Sequence, residues 1–522
     1  MPVAKSFAIS LLGLAGKIIE IEAEISSNLP NFVLVGLPDA SLSEAKDRVR
    51  SAAANTGLPL PGRRVTVNLT PAAVPKQGSS FDLAIAVAVL AADSRVNPES
   101  VASWVHIGEL GLDGGVRPVP GILPALLAAR AAGFNRAIVP LKNLAEARLV
   151  EGLEVVAVAH LSQVANLHGA EVDVPKLYQE LEPEAATQQN LAAVPLLDMA
   201  DVLGQNDAIN ALTVAAAGGH HVLMVGPPGS GKTMLAERLP SILPDLGVDE
   251  ALETTAIFSV GQRSVFGEGL VTVPPFEAPH HTASVSSLIG GGLGVPRPGL
   301  VSFANHGVLF LDEAAEFSQA MLESLRQPLE SGQVVINRSA GSARFPARFQ
   351  LVLAANPCPC GHAFDSNGKC HCTATQRMRY AAKLSGPLLD RIDIRLVVRP
   401  ANRAQLAIAR NEAGSSAISS QQIQQNVMEA RQRAATRLSG TPWTKNAQVP
   451  GVYLRKQLKL GKGVSALLDR ALDAGKISMR GYDRCLRIAW TCADLAGNET
   501  PTADDLALAV YLRGPENPMA SS

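Results

Sequence analysis

Eight residues, Gly226-Pro227-Pro228-Gly229-Ser230-Gly231-Lys232-Thr233, set three glycines, a lysine and two hydroxyls between the apolar run Val222 to Val225 and the helical pattern MLAERL. Strand, glycine-rich turn and helix in that order make a phosphate loop. The glycines let backbone N–H groups close around β and γ phosphates, and the positive end of the following helix adds to their pull. In such a loop Lys232 neutralises phosphate charge and Thr233 ligands Mg2+. About eighty residues on, the apolar run Val308 to Leu311 ends in Asp312-Glu313. A buried strand ending there delivers both carboxylates to the edge of a parallel sheet where ligands bind. Asp312 then partners Mg2+ and Glu313 orients the attacking water. A further run, FQLVLAANP, ends in Asn356, placed for the γ-phosphate or that water, and SGPLLDRIDIRLVV carries Arg391 beside Asp390 and Asp393. A lone arginine is usually solvated or salt-bridged. After a phosphate loop, an acidic pair and an asparagine in series, Arg391 is also a candidate to reach a neighbouring subunit's ATP. The cofactors this chemistry needs are ATP and Mg2+.

Four of the six cysteines follow within fifteen residues: Cys358, Cys360, Cys370 and Cys372, in a CxC-x9-CxC pattern. Four thiolates can close a tetrahedral Zn2+ site, with His362 and His371 as spare ligands. Each CxC is tighter than the usual zinc spacing, so a metal-free reduced loop or a redox switch stands beside the zinc reading. The intervening GHAFDSNGK has little apolar content, and a metal would supply the folding energy it lacks. With all four positions taken by protein, such a Zn2+ is structural. Cys485 and Cys492 lie on a helical pattern and read as buried thiols.

These residues need scaffolds. A chain of 522 residues exceeds one hydrophobic core and implies several domains. Hydrophobic residues make up 47%, charged residues 18%, and the net charge is -1, which removes any whole-chain electrostatic case for nucleic acid or anionic membrane. Any basic surface is local. The start, MPVAKSFAISLLGLAG, resembles a secretory leader, but no small-residue cleavage site follows and GKIIEIEAEIS continues with strand alternation. The apolar run Leu83 to Ala92 is far short of the ~20 residues that cross a bilayer. A cytoplasmic protein without membrane contact is expected. Residues 1–170 alternate strand-like and helical runs, an α/β domain; 171–195 lose periodicity and read as a linker; 196–400 form a second α/β unit. Residues 401–515 read as helical, with Ile423, Val427, Ala430 and Ala434 on one face behind a Ser420 cap.

The ordered series of motifs resembles AAA+ ATPases. FEAPHHTASVSSLIGGG, PRPGLVSFANHGVLFLDE, ANPCPCG followed by CHCT, SGPLLDRIDI and SMRGYDRCLRIAWTCADLAG together resemble the magnesium-chelatase-like branch, specifically the bacterial ComM (YifB-like) proteins, over nearly the whole chain. The resemblance implies a homohexameric ring with ATP at subunit interfaces and Arg391 as the finger acting in trans. It implies an α-helical C-terminal lid with Arg484 as second sensor, Arg480 being the runner-up, and it sets DVLGQ, with Val202 and Gly204, at the adenine. Two insertions mark this branch: Phe258 to Gly299 within the second helix, and QVVINRSAGSARFPARF, which reads as a hairpin. In a ring such hairpins point toward the pore, where Arg338, Arg344 and Arg348 would track a phosphate backbone while Phe345 and Phe349 stack on bases. Equally, the phenylalanines are core and the arginines solvated. His280 and His281, being adjacent, point in different directions and read as structural or loop contacts.

GLPLPGRRVTVNLTPAAVPKQGSSFDLAIAVAVLA and GELGLDGGVRPVPGILPALLAARAAGF resemble the Lon-protease-like domain. Ser79 and Ser80 sit near the nucleophile's place, but Ala125 stands where the activating lysine should be, so the hydrolytic pair is broken. A DNA-handling role is preferred for this domain, with Arg63, Arg64 and Lys76 as contacts. The resemblance as a whole implies an ATP-driven motor acting on single-stranded and branched DNA, which migrates branched junctions as incoming single strands are integrated in natural transformation and recombination. The alternative is a chelatase-type or chaperone-like ATPase that remodels a protein partner. The long Lon-like domain and the cysteine cluster weigh against a chelatase.

Overall fold

A computed structural model describes residues 3–36, 44–74, 76, 78–179, 197–263, 269–292, 296–338, 341–364, 370–401, 418–461, 463–475, 477–515 and 517–519. Most of the expected linker and the hairpin turn Ser339-Ala340 fall outside the described residues.

The N-terminal alternation forms strands β1 (Ala4–Leu12) and β2 (Ala15–Ser26), paired antiparallel around Gly13 at φ 67°. Ile19, Ile21 and Ala23 turn inward and are buried while their neighbours face out, the period of two that pleating imposes. With β3 (Asn31–Val35), β4 (Arg64–Thr70), β5 (Val105–His106), β6 (Arg136–Pro140) and β7 (Glu154–Val158) they make a seven-stranded mixed sheet in the order β3-β4-β2-β1-β5-β6-β7. Helix α1 (Ala45–Asn55) packs on α2 (Asp82–Ala92), which contains the apolar run. Being apolar on every side, α2 is buried from Asp82 to Ala91, a core helix as such patterning requires. Each fully buried leucine, isoleucine or valine there contributes about 1.5–3 kcal/mol. Asp82 is taken inside because Arg48 accompanies it with two bonds of 2.6 and 3.0 Å.

The second unit is a five-stranded sheet, parallel throughout: β8 (Val222–Val225), β9 (Phe276–Glu277), β10 (Val308–Leu311), β13 (Gln350–Ala355) and β14 (Ile394–Val397), in the order β9-β10-β13-β8-β14. Between β10 and β13 lies the expected hairpin, β11 (Gln333–Arg338) with β12 (Gly341–Pro346). Strands β8, β10 and β13 are buried along their whole length, as continuous apolar runs covered on both faces must be. Helices α4 (Asn206–Gly218), α5 (Lys232–Glu237) and α6 (Val248–Val260) flank the sheet. Helix α6 also packs on α3 (Ile122–Ala131) of the first unit, where Ser259 donates to the buried Glu146 carboxylate.

The C-terminal part is helical. After α7 (Ala374–Ala381), helices α8 (Ser420–Arg437), α9 (Met479–Ala496) and α10 (Ala503–Arg513) pack together, and Ile423, Val427, Ala430 and Ala434 are buried as patterned. The cap is one residue earlier than expected: Ser419 accepts from the Gln422 amide, whereas the Ser420 hydroxyl accepts from the Met199 amide at 2.8 Å and meets Ser241 at 2.7 Å. Ser420 therefore fastens lid to core. A second fastening is His220, whose ring bridges Asp393 at 2.9 Å and Thr491 of α9 at 2.8 Å. No helix among the described residues is long and apolar enough to cross a membrane.

Candidate nucleotide site

The parallel sheet delivers three sequence-predicted groups to one end. Gly226 follows β8, Asp312 and Glu313 follow β10, and Asn356 follows β13, so neighbouring strands place them side by side at their carboxyl ends. Gly226 has to be glycine: a Cβ there would lie 2.2 Å from the Val398 carbonyl and 2.7 Å from the Ser230 hydroxyl. Gly229 and Gly231 hold φ of 73° and 87°, the left-handed geometry that closes the loop. Lys232 is folded back onto its own loop, donating to the Gly226 carbonyl at 2.8 Å, the Pro227 carbonyl at 2.9 Å and Asn356 Oδ1 at 3.3 Å. Burial lowers its pKa against the opposing pull of Asp312 and Glu313. The ammonium is thus held where anionic phosphate would replace carbonyl partners. The buried Ser230 hydroxyl lacks a protein partner among the described residues, as a group lining a phosphate cradle would.

Thr233 Oγ1 donates to Asp312 Oδ2 at 2.7 Å. A hydroxyl and a carboxylate in contact beside a phosphate loop suit Mg2+, which prefers oxygen ligands and keeps several waters. Glu313 sits at φ 50° and ψ 44°, a left-handed conformation uncommon for a side-chain-bearing residue and frequent at functional sites. It turns the carboxylate outward, with His281 Nδ1 3.7 Å away. The His280 and His281 rings lie only 4.1 Å apart and tilted by 34°, so the expectation that they point in different directions is corrected: His281 faces Glu313. Sequence reasoning missed this because the partner comes from a loop more than thirty residues away.

Val202 is buried and Gly204 has φ 71°, in the short segment leading into α4. The neighbouring Gln205 side chain ties that segment to the loop, donating to the Ser230 carbonyl at 3.2 Å and the Arg399 carbonyl at 2.7 Å.

The two predicted arginines lie elsewhere. Arg391, Arg480 and Arg484 line a cleft of about 1000 Å³ with His221, Glu330, Arg348, Arg431, Lys445 and Arg487, and no phosphate-loop residue lines it. His221 and Asp393 precede β8 and β14, so the cleft opens at the amino ends of the strands whose carboxyl ends carry the loop. At about 3.3 Å per residue, the four residues of β8 set the two roughly 13 Å apart or more. Arg391 pairs with Glu330 and donates to the Pro387 carbonyl, while burial and the nearby Arg326, Arg484 and Arg480 lower its pKa. Arg484 donates to buried Asp393 at 2.7 Å; Arg480, 80% exposed, reaches Asp390 at 2.9 Å. Asp393 is buried, which alone would raise its pKa, but Arg484, His220 and Arg487 together hold it well below the usual carboxylate range.

The cysteines converge. Cys358 Sγ lies 3.3 Å from Cys360 and 3.7 Å from Cys370, Cys360 and Cys370 are 3.7 Å apart, and all four sulfurs fall within 4.8 Å of one another. A tetrahedral Zn2+ with bonds of about 2.3 Å separates its sulfurs by about 3.8 Å, so the donor set fits.

The hairpin only partly matches its reading. Val334, Ile336 and their partners Phe345 and Ala343 form its buried face, and Phe349 is buried too, so neither phenylalanine is available to stack on a base. Arg338 and Arg344 are exposed but alternate to opposite faces. Arg348 belongs to the arginine cleft, 3.7 Å from Glu253. In the first unit Ser79 donates to Glu109, and Ala125 is buried in α3. Lys76 is corrected as a surface contact: it is buried, donating to the Gly36 and Pro71 carbonyls, whereas Arg63 and Arg64 are exposed.

Three sequence families match in succession: the subunit ChlI of Mg-chelatase over residues 21–143, the magnesium chelatase subunit ChlI over 198–406, and its C-terminal part over 417–513. The chain is similar along 98% of its length to the competence protein ComM of Haemophilus influenzae, at 38% identity over 98% of that protein. It belongs to the ComM (YifB-like) family of magnesium-chelatase-like AAA+ proteins. The YifB protein of Escherichia coli K12 is 38% identical over 96% of this chain and 95% of its own. An uncharacterized protein of Mycobacterium tuberculosis H37Rv is 46% identical over 98% and 99%. Within this family the mixed sheet, parallel core and helical end account for the three matched segments in order.

Proposed function

We propose that this ComM-like chain is one subunit of a homohexameric, cytoplasmic ATPase that drives branch migration of DNA as single strands are integrated during transformation and recombination. The observation that carries it is the separation of the phosphate loop from Arg391 at opposite ends of one sheet. A chain whose arginine cannot approach its own loop completes an ATP site only by offering the arginine to a neighbour, which is the arrangement of a ring.

In that reading the loop amides of Gly226 to Thr233, with Lys232, hold the β and γ phosphates. Thr233 and Asp312 hold Mg2+, which neutralises developing charge when bound. Glu313 orients the attacking water, Asn356 fixes its position against the γ-phosphate, and Val202 and Gly204 border the adenine. Arg391 of one subunit and Arg484 beside it approach the ATP of the next. Cys358, Cys360, Cys370 and Cys372 hold a structural Zn2+. Duplex and single-stranded DNA would meet Arg338 and Arg344 by charge alone, since the phenylalanines are in the core. The name of the relative ComM supports the transformation context.

The test is the ATPase rate with no DNA, single-stranded DNA and a four-way junction, together with branch migration of a labelled junction. Stimulation by junction DNA that weakens in Arg344→Ala is expected. Hydrolysis indifferent to every DNA form would shift the reading to remodelling of a protein partner.

A further inference from the structure

The cysteine cluster touches the nucleotide site at one point. Gly361, between the two halves of the cluster at φ 81°, lies so close to the phosphate loop that a Cβ on it would fall 2.5 Å from Pro228 Cδ and 2.8 Å from its Cγ. Its amide donates to the Cys358 carbonyl at 3.0 Å, a tight turn that presents this bare edge to the loop. Cys358 is fully buried and follows Asn356 by two residues, so the turn is continuous with the strand that ends at Asn356. On the far side, α7 starts just after Cys372 and returns the buried Tyr380 to the neighbourhood of Asn356, whose backbone acts on its hydroxyl. The described residues on either side, 356–364 and 370–380, thus join the nucleotide site to the converging sulfurs, with Gly361 touching the loop.

We infer that the four-cysteine zinc knuckle is a buttress for the phosphate loop: its metal fixes Gly361 against Pro228 and so sets nucleotide affinity. The physical ground is that the knuckle has little core of its own. Cys360, Cys370 and Cys372 are only partly buried, and the stretch between the cysteine pairs is mostly polar. Without metal, Phe364, packed against the core, is the one large apolar side chain of that stretch left to hold the turn in van der Waals contact with a loop that must itself close around phosphate. The inference rests on the reading of Gly226 to Thr233 as an ATP site.

The experiment uses the full chain. Bound zinc is measured by elemental analysis, the fluorescent nucleotide mant-ADP is titrated at equilibrium, and circular dichroism monitors folding. Five samples are compared: parent, chelator-stripped parent without and with added Zn2+, Cys370→Ser, and Gly361→Val. About one zinc per chain is expected in the parent and in Gly361→Val, and little in the stripped and Cys370→Ser proteins. Stripping should weaken mant-ADP binding about tenfold, a change of ~1.4 kcal/mol, with recovery on adding Zn2+. Gly361→Val should weaken it comparably while keeping its zinc, an outcome that mere unfolding of the knuckle does not give. Zinc loss with unchanged nucleotide affinity overturns the buttress, as does a parent that binds no zinc. A zinc-loaded parent that binds no nucleotide overturns the ATP reading itself, so the two failures are distinguishable.

Discussion

The two ends of the five-stranded sheet make opposite kinds of site. At the carboxyl end the loop, the acidic pair and Asn356 are supplied by three adjacent strands, and the lysine is already within 3.3 Å of the asparagine. At the amino end the cleft gathers Arg391, Arg480, Arg484 and Arg487 around His221 and Asp393, with carboxylates as provisional partners. One end has the means to hold a triphosphate, and among the described residues no arginine side chain bonds its loop or acidic pair; the other has arginines and no cradle. Each is what the other is missing. In the proposed ring, two copies stacked with one end facing the other would form a complete site, and the division would couple hydrolysis to assembly.

The comparison breaks most sharply at Arg391. Arg391→Ala should lower kcat about 10³-fold or more while mant-ADP affinity stays near the parent's, measured by steady-state hydrolysis and titration. Equal losses in affinity and rate would place the arginine at its own loop. At the opposite end, Glu313→Gln should lower kcat by about 10²–10⁴-fold with nucleotide still bound, because the water loses its base while the cradle survives. Arg484→Ala tests the arginine end structurally. It removes a partner from buried Asp393 and should cost on the order of 3 kcal/mol, read as a lower Tm, beyond any catalytic loss.

The smallest effect expected is on pH. Burial first, with nearby Arg484, holds the His221 pKa down to about 4. The unfolded chain takes up a proton near pH 6.5, the folded chain not until about 4, so stability falls as pH drops through that window. Thermal melts between pH 7.5 and 4 should show a shallower decline in His221→Gln than in the parent. An unchanged slope would mean that other groups, such as buried His168, whose pKa burial also lowers to about 4, dominate acid lability.

The phosphate-loop end was legible because its determinants are local: a strand, a turn and a helix in sequence, then carboxylates and an amide each closing an apolar run. The N-terminal strands were legible from alternation, whereas the apolar run that becomes α2 could be read only as too short to cross a bilayer. The arginine end was not, because it depends on how the lid docks, and that is decided by contacts such as His220 to Thr491, 271 residues apart. The family resemblance put Arg484 in the lid, but nothing in the sequence put it beside Arg391. In the hairpin, Val334, Ile336, Ala343 and Phe345 alternate inward in register, which assigns Phe345 to the core. The four cysteines announced a cluster able to hold a metal, whereas the approach of Gly361 to Pro228 carries no mark in the sequence beyond a glycine.

The central claim is that each ATP site is shared between two chains. It is tested most directly by co-expressing Lys232→Ala, which keeps its arginine but loses its cradle, with Arg391→Ala, which keeps its cradle but loses its arginine. Each alone should be nearly inactive, and in mixed rings about a quarter of the interfaces would pair an intact loop with an intact arginine. Recovery of ATPase activity well above either variant alone is the predicted result. A mixed assembly as inactive as its components would show that Arg391 serves its own chain and would contradict the account.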